Sequence, residues 1–511
     1  LAKLHVTNDT AVRLQYRMAS IQPINFPTWP WLCWREQHAD ATAVVLDDVA
    51  VSWQQLCRDI ACAQTVLYRH TARHSSVSNR HGDISVTDNV ERIAIVSDNR
   101  YCDLVNMLAS WQLGWQTLMV NPAFSSELQT TLLEEIGIEH CLSVDDVVTN
   151  VGSFPPLKND DFGNRYVERD GFLEQNKTLD APFIPEKCLT LTLTSGSTGL
   201  PKAVAHTVEH HLSSAAGLFS LMPFSETDCW LLSLPLFHVS GLAIVWRWLL
   251  KGAVLKIAET KGDALIPSLD GATHASLVPT QLQRVVSLGK SQSLRSVLLG
   301  GAAIPQPLVD DAERMGIQCW CGYGMTEMAS TISAKRADGR FTVGGVLPNR
   351  EVRLSDAGEV LVKGGTLAAG YMVKGEIHPL TEHWFATKDK ARWCNESHEL
   401  QILGRLDNMF VCGGENVQPE AVERVLGQFE GVLQLIILPV DHERWGQVPV
   451  AIVQGRVEHD AFLEWAKQQV PAYQCPQAVL SLPENVGVSG IKLSRNALAQ
   501  WLASQPLALP V

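Results

Sequence analysis

The chain has 511 residues, more than one hydrophobic core usually serves, so two or more domains are expected. With 46% of residues apolar and 19% charged it is no disordered chain, and Gly (36) and Pro (25) are too few for a collagen-like or low-complexity one. A formal net charge of −13 argues against nucleic acid as the main partner, and any polyanionic ligand must be met by local cations and backbone N–H groups.

Twelve Cys are scattered singly, with Cys319 and Cys321 the closest pair and no C-x-x-C. Without metal spacing or a small-domain disulfide pattern, the expectation is reduced thiols in a cytoplasmic protein. No apolar run approaches the roughly 18 residues that span a bilayer; the stretch from Leu242 to Leu250 is interrupted by Arg247. The first twenty residues hold no continuous apolar segment, so no secretory signal is expected and residues 1–25 read as an extension.

In chain order, short apolar runs alternate with amphipathic stretches. Strands are expected at ERIAIVSD (91–98), KCLTLTLTS (187–195), CWLLSLPLF (229–237), HASLVP (274–279) and LRSVLLGG (294–301). Helices are expected at 100–114 and 206–222. The alternation predicts an α/β fold with mostly parallel sheets. Residues 70–90, with His70, His74 and His81, read as a solvated loop, since no Cys or carboxylate spacing completes a metal set. Residues 150–186 also read as loop. Past about 340 the texture becomes short β segments and turns. From 406 onward a helix (QPEAVERVLGQF), a strand (VLQLIILPV) and a helix (HDAFLEWAKQQV) make a small α+β unit. The expected division is 1–25 extension, 26–405 large domain and 406–511 small domain.

The most informative stretch is LTLTSGSTGLPK, where a strand ending at Thr194 runs into Ser195, Gly196, Ser197, Thr198 and Gly199, followed by Lys202. Glycines let backbone N–H groups approach phosphate oxygens, hydroxyls add donors and the Lys adds a charge. The spacing is neither a Walker A loop nor a nucleophile elbow. A plain surface turn is the competing reading, but the apolar strand entering and the Lys leaving favour a phosphate cradle. This stretch resembles the phosphate loop of the adenylate-forming superfamily, which comprises acyl-CoA synthetases, peptide-synthetase adenylation domains and luciferases. The resemblance extends over roughly residues 26 to 500 through several motifs in the family's order.

In Gly300-Gly301-Ala302-Ala303, the small residues Gly300, Gly301 and Ala302 permit close backbone approach, and the resemblance sets them along the adenine. CGYGMTE (321–327) resembles the YGxTE motif: Tyr323 and Gly324 would face adenine, Thr326 a phosphate, and Glu327 would be a magnesium ligand. WFATKD (384–389) resembles W-[FY]-x-T-G-D, with Asp389 implied to bind ribose and Lys388 standing where Gly is usual. In GRLDN (404–408), Arg405 would hold ribose or phosphate and Asp407 would be the interdomain hinge; Gly413 and Gly414 would approach a pantetheine channel. GIKLSR (490–495) resembles the catalytic lysine motif with Ile491 interposed, which makes Lys492 the implied catalytic cation.

The implied chemistry is attack of a carboxylate on the α-phosphate of ATP, with magnesium, followed by transfer of the acyl group to the thiol of CoA. Lys202, Thr326, Glu327, His238 and Lys492 would carry it. His238 stands where amino-acid-activating relatives have Asp, which disfavours a free amino acid. The strings FHVSGLAIVWRWLLKGA, THASLVPTQLQR and LLGGAAIP resemble the o-succinylbenzoate–CoA ligases of menaquinone biosynthesis. For such a diacid, His238, Ser240, Ser276, Thr280 and Gly300 are candidate pocket residues. Arg247 is a candidate clamp for the second carboxylate; a structural ion pair or a snorkelling side chain is its competing reading. Another aryl- or medium-chain acyl-CoA ligase, an enzyme loading a carrier protein, and a nucleotide-binding protein with a decayed site stay open on these residues. Oligomeric state stays open too, a homodimer being one option.

Overall fold

The computed structural model describes residues 16–17, 25–74, 92–142, 179–194, 200–289, 293–301, 304–381, 383–483, 486, 488–489 and 492–505. Two large sheets dominate. One has nine strands, and its centre runs parallel through Gln318–Met325, Ser296–Leu299, His274–Leu277, Cys229–Leu231, Val254–Ile257 and Thr42–Leu46. The other has seven, parallel through Cys188–Thr194, Gln116–Val120, Arg92–Val96 and His140–Leu142. Antiparallel strands flank both centres. The inner strands are buried along their whole length, as parallel strands covered on both faces must be.

Helices Trp53–His74, Tyr101–Gln112, Val208–Phe219 and Val239–Lys251 share one core with side chains from both sheets, including Ile93, Met119, Leu255 and Trp230. Indole stacking ties these helices together. Trp53 lies on Trp248 at 5.2 Å, Trp111 on Trp246 at 5.1 Å, and His211 on the same Trp246 at 5.4 Å. Such offset stacks add about 0.5–1.5 kcal/mol each beyond burial.

A five-stranded antiparallel sheet carries Arg350–Leu354, Glu359–Gly364, Phe385–Trp393 and Leu400–Arg405, and its edge is Tyr16–Arg17. Part of the N-terminal stretch is therefore paired to residues more than 300 positions away. A further, mostly antiparallel sheet is built from residues after 409, and residues 450–453 of its long strand Gly446–Gly455 alternate faces. Val448, Ala451 and Val453 enter one core, with Pro419–Leu426 and His459–Gln469; Val450 and Ile452 enter another, with Arg495–Ala503.

The predicted elements differ from the structure in two places. The run 229–237 is a strand only over Cys229–Leu231. Beyond it the backbone is taken up by the Asn99 side chain, which accepts from Leu236 N at 2.7 Å and donates to Leu234 O at 3.0 Å. Residues 70–74, expected as the start of a loop, are instead the last turn of helix Trp53–His74. Residues 75–91 and 143–178 lie outside the described residues. No helix among the described residues is long and apolar enough to cross a membrane.

Candidate active site

Strands Cys188–Thr194 and Lys202–Thr207 pair antiparallel, with Thr194 opposite Lys202. They bring both ends of the glycine-hydroxyl stretch together; Ser195, Gly196, Ser197, Thr198 and Gly199 lie outside the described residues. Thr194 is half-buried and Lys202 exposed, its ammonium 4.9 Å from the centre of the Tyr371 ring.

Strand Gln318–Met325 carries Tyr323 and Gly324 across an irregular step in its pairing with Ser330–Arg336, then turns through Thr326–Met328. Gly324 is required there, because a Cβ would stand 2.0 Å from Ser330 O. The Tyr323 hydroxyl donates to Asp389 at 2.5 Å. Burial and the Asp389 charge push the Tyr323 phenol pKa well up, so it stays a donor. Asp389 also accepts from Arg405 at 3.3 Å, and Arg405 forks onto Asp407 at 2.8 and 2.9 Å. The bonds from Arg405 hold the Asp407 carboxyl below its usual range. Three motifs 66 and 16 residues apart thus form one chain of charge-assisted bonds.

Lys388, the residue in the usual Gly position, adopts φ +62°, the left-handed region glycine favours, and its N–H donates to Glu359 at 2.9 Å. The turn is kept without the glycine. Gly300 is half-buried, and among the described residues a Cβ there would meet only Gly322 O at 3.9 Å, an ordinary contact, so no described group crowds it. Gly301 is exposed at φ +87°, and Ala302 lies outside the described residues.

Glu327 is buried at 6% exposure; its carboxylate accepts from the Tyr371 hydroxyl at 3.0 Å and its carbonyl from Ala368 N at 2.8 Å. The Thr326 carbonyl is 2.7 Å from His206 Nε2. Burial pulls the His206 pKa down to about 3, so the ring is neutral and carries its proton on Nε2 toward that carbonyl. Neither Tyr371 nor His206 was singled out from sequence. They act across separations of 44 and 120 residues, and no spacing rule reaches that far.

On the other side of the helical layer, Arg247 is 2% exposed in helix Val239–Lys251. Its guanidinium donates to Ser276 Oγ at 3.5 Å and lies 5.1 Å from the Trp230 ring centre. No carboxylate pairs with it among the described residues, and it does not reach water. Its burial speaks against the snorkelling reading, and no described carboxylate supports the ion-pair one. Burial pulls its pKa to about 9, still charged at neutral pH. A second buried guanidinium, Arg350, is held by Pro348 O at 2.7 Å and by Ser214 O and Oγ at 3.1 and 3.0 Å. Burial and then the Arg247 charge depress its pKa, also to about 9.

His238 caps the start of helix Val239–Lys251 beside Phe237, at a ring distance of 4.8 Å, and Ser240 is half-buried in its first turn. Thr280 is exposed at the start of helix Pro279–Leu288, so the structure does not group it with Arg247 and Ser276.

Past Arg405, Gly413 and Gly414 form an exposed turn between Phe410–Cys412 and Glu415–Val417, both at positive φ. Lys492 lies in a two-stranded hairpin opposite Ser489, and its side chain is outside the described set. Arg495, three residues on, forks onto Glu423 at 2.5 and 2.7 Å and donates to Ile437 O at 2.9 Å, which roots the hairpin in the tail sheet. The hinge region is bonded on both sides: Gln418 donates to Arg405 O at 2.8 Å, and Asn408 to Glu420.

Residues 84–372 match the model of the AMP-binding enzyme family. The 2-succinylbenzoate–CoA ligase of Salmonella typhimurium is 39% identical over 486 residues, 94% of this chain and 99% of the relative. A solved variant of Escherichia coli MenE with bound OSB-AMS superposes with a TM-score of 0.79 at 37% identity, covering 95% of this chain and 100% of that one. The o-succinylbenzoate coenzyme A synthetase of Bacillus subtilis in complex with ATP and magnesium shares the fold at a TM-score of 0.71 and 22% identity, over 89% of this chain and 96% of that one. On its sequence, its mixed α/β sheets and these relatives, the chain belongs to the AMP-binding enzyme family.

Proposed function

We propose that the chain is an AMP-forming acid–thiol ligase that activates o-succinylbenzoate with ATP and passes the acyl group to CoA, in menaquinone biosynthesis. The observation that carries the nucleotide half is the bonded set Tyr323–Asp389–Arg405 beside the Thr326–Glu327 turn. A flat phenol ring, a carboxylate that can accept from ribose hydroxyls and a guanidinium near phosphate suit AMP, with the uncrowded face of Gly300 taking the base. The observation that carries the acid half is Arg247, a buried cation with no anion of its own among the described residues. A substrate carboxylate remote from the reacting one completes it. His238 and Ser240, at the start of the Arg247 helix, and Ser276 line this side in the reading.

Glu327 fits magnesium: one oxygen is anchored by Tyr371, the other accepts from no described group, and a single hard carboxylate is what this ion takes when phosphates supply its remaining ligands. When bound, the ion neutralises charge on the departing pyrophosphate. Lys202 and the 195–199 loop orient the triphosphate, and Lys492 faces the developing charge at the α-phosphate. The carboxylate oxygen bonds to the α-phosphorus as the bond to pyrophosphate breaks. The CoA thiol then gives up its proton, bonds to the acyl carbon and releases AMP.

The cores of the tail, made from residues after 409, are separate from those of the large lobe, which supports a division at 405/406 with Asp407 as pivot. Rotation there would exchange Lys492 for the Gly413–Gly414 turn near the carbonyl. All twelve cysteines are free, in keeping with the cytoplasm.

The test is a carboxylate panel with ATP and CoA, read by thioester mass and nucleotide product. The o-succinylbenzoyl thioester with AMP is expected. Preference for benzoate or hexanoate, transfer only to a carrier protein, or release of ADP overturns the assignment. Lys492→Ala should lower adenylation by about 10²–10³-fold and spare thioester formation from preformed adenylate. Equal loss in both half-reactions contradicts the rotating tail.

A further inference from the structure

We propose that Tyr371 is a positioning residue that fixes which oxygen of Glu327 meets the metal-bound triphosphate, and that it couples this carboxylate to Lys202. The inference rests on the magnesium–ATP reading above and assigns a role to a residue outside the motifs.

The geometry begins with the sheet. Strand Gly370–Val373 pairs antiparallel with Lys202–Thr207, and Tyr371 stands opposite Val204. Tyr371 therefore sits on the strand next to the one that Lys202 opens. The segment just before it locks onto the same neighbours: Ala369 N donates to Ala205 O at 3.0 Å, and Ala368 N to Glu327 O at 2.8 Å. The stretch 368–371 thus grips Glu327 twice, once at the backbone carbonyl and once through the Tyr371 hydroxyl at Oε1, 3.0 Å away. On the other flank His206 holds the Thr326 carbonyl at 2.7 Å. The turn that presents Glu327 is pinned from both sides by one pair of strands.

The chemistry follows from the single donor. A buried carboxylate left without partners is costly and free to rotate. Here Oε1 is committed to a phenol, and Oε2 accepts from no described residue. The Tyr371 hydroxyl is the donor of this bond, because a carboxylate oxygen can only accept. The Lys202 ammonium, 4.9 Å from the ring centre, lies in range of a cation–π contact and draws electron density toward itself. One aromatic ring thereby sets the spacing between the cation that meets phosphate and the carboxylate that meets the metal. Asn or Gln could bond Glu327 but not carry Lys202, and Phe could do only the reverse.

The experiment uses Tyr371→Phe, which keeps ring and strand and removes one O–H, with Glu327→Gln as the reciprocal variant. Two readouts are taken on the full chain. The first is the magnesium concentration that half-saturates acid-dependent ATP–pyrophosphate exchange. The second is the rise in melting temperature on adding ATP with magnesium, set against ATP with EDTA. Tyr371→Phe should raise the half-saturating magnesium on the order of tenfold, the worth of one hydrogen bond to a charged group. It should shrink the magnesium-specific thermal shift, leave the shift with ATP and EDTA as in the wild type, and spare thioester formation from preformed adenylate. Added to Glu327→Gln it should shrink that thermal shift no further. An unchanged magnesium requirement, equal loss of both thermal shifts, or equal loss of both half-reactions overturns the proposal. If the wild type itself shows no exchange with the acid, the functional reading fails instead, and the magnesium-specific thermal shift still decides the role of Tyr371.

Discussion

The nucleotide side and the acid side of this site treat buried charge in opposite ways. Apart from Glu327, whose carboxylate only the Tyr371 hydroxyl meets among the described residues, the nucleotide side answers its buried charge within the chain: Tyr323 and Arg405 converge on Asp389, and Arg405 is shared with Asp407. On the acid side Arg247 and Arg350 are buried with carbonyls, hydroxyls and an indole face, and no carboxylate among the described residues meets either. The difference teaches what each side is built to receive. A compensated set suits hydroxyl groups of a nucleoside, which need orientation more than charge. An uncompensated buried cation destabilises the empty protein and recovers that cost when an anion arrives.

The sharpest way to break the comparison is to neutralise Arg247. Arg247→Leu should lower kcat/KM for o-succinylbenzoate by roughly 10²–10⁴-fold, matching the 3–5 kcal/mol that a broken buried ion pair costs. Activity on a mono-acid lacking the second carboxylate should change little, and urea unfolding should show equal or higher stability. Equal loss on both acids would remove the clamp from the account. Asp389→Ala is the counterpart. It should lower ATP–pyrophosphate exchange by about 10²-fold through loss of charged hydrogen bonds, and unlike Arg247→Leu it should also lower stability. A gain in stability there would erase the contrast.

The third prediction concerns protons. His206, His210 and His211 are held neutral by burial, with pKa values of about 3 for His206, about 4 for His210 and well below the free value for His211. The unfolded chain binds protons near pH 6.5 while the folded one does not, so stability falls as pH drops from there toward 4. Each histidine contributes a slope of at most about 1.4 kcal/mol per pH unit. Urea midpoints between pH 7 and 5 should decline accordingly, and less steeply in His211→Gln. The smallest effect is at Lys388: because it is exposed at φ +62°, Lys388→Gly should raise stability by about 0.5–1 kcal/mol in thermal or urea unfolding, the left-handed cost less the entropy glycine adds.

Much of the proposed site can be named from the residues because its groups come as short motifs with local spacing. The strand entering residues 195–199 follows from alternation, its partner Lys202–Thr207 was not expected, and Asp389 was proposed although Lys388 departs from the family pattern. The run 229–237 misled, since an apolar string reads as strand whether its backbone bonds to a neighbouring strand or to the Asn99 side chain. Arg247 was visible as a charge in an apolar run, but that no described carboxylate meets it was not, because partners are chosen across 29 residues or more.

The amino-acid order alone determined the family and the α/β class, and it named the candidate phosphate stretch and nucleotide motifs, because these depend on residue type at fixed short spacing. Tertiary structure alone decided that Glu327 is gripped by Tyr371, that His206 is a neutral donor, and that Arg247 and Arg350 meet no carboxylate among the described residues. Each of these depends on which distant strands share a sheet and on how much water burial removes, and neither is written in any local window of the chain.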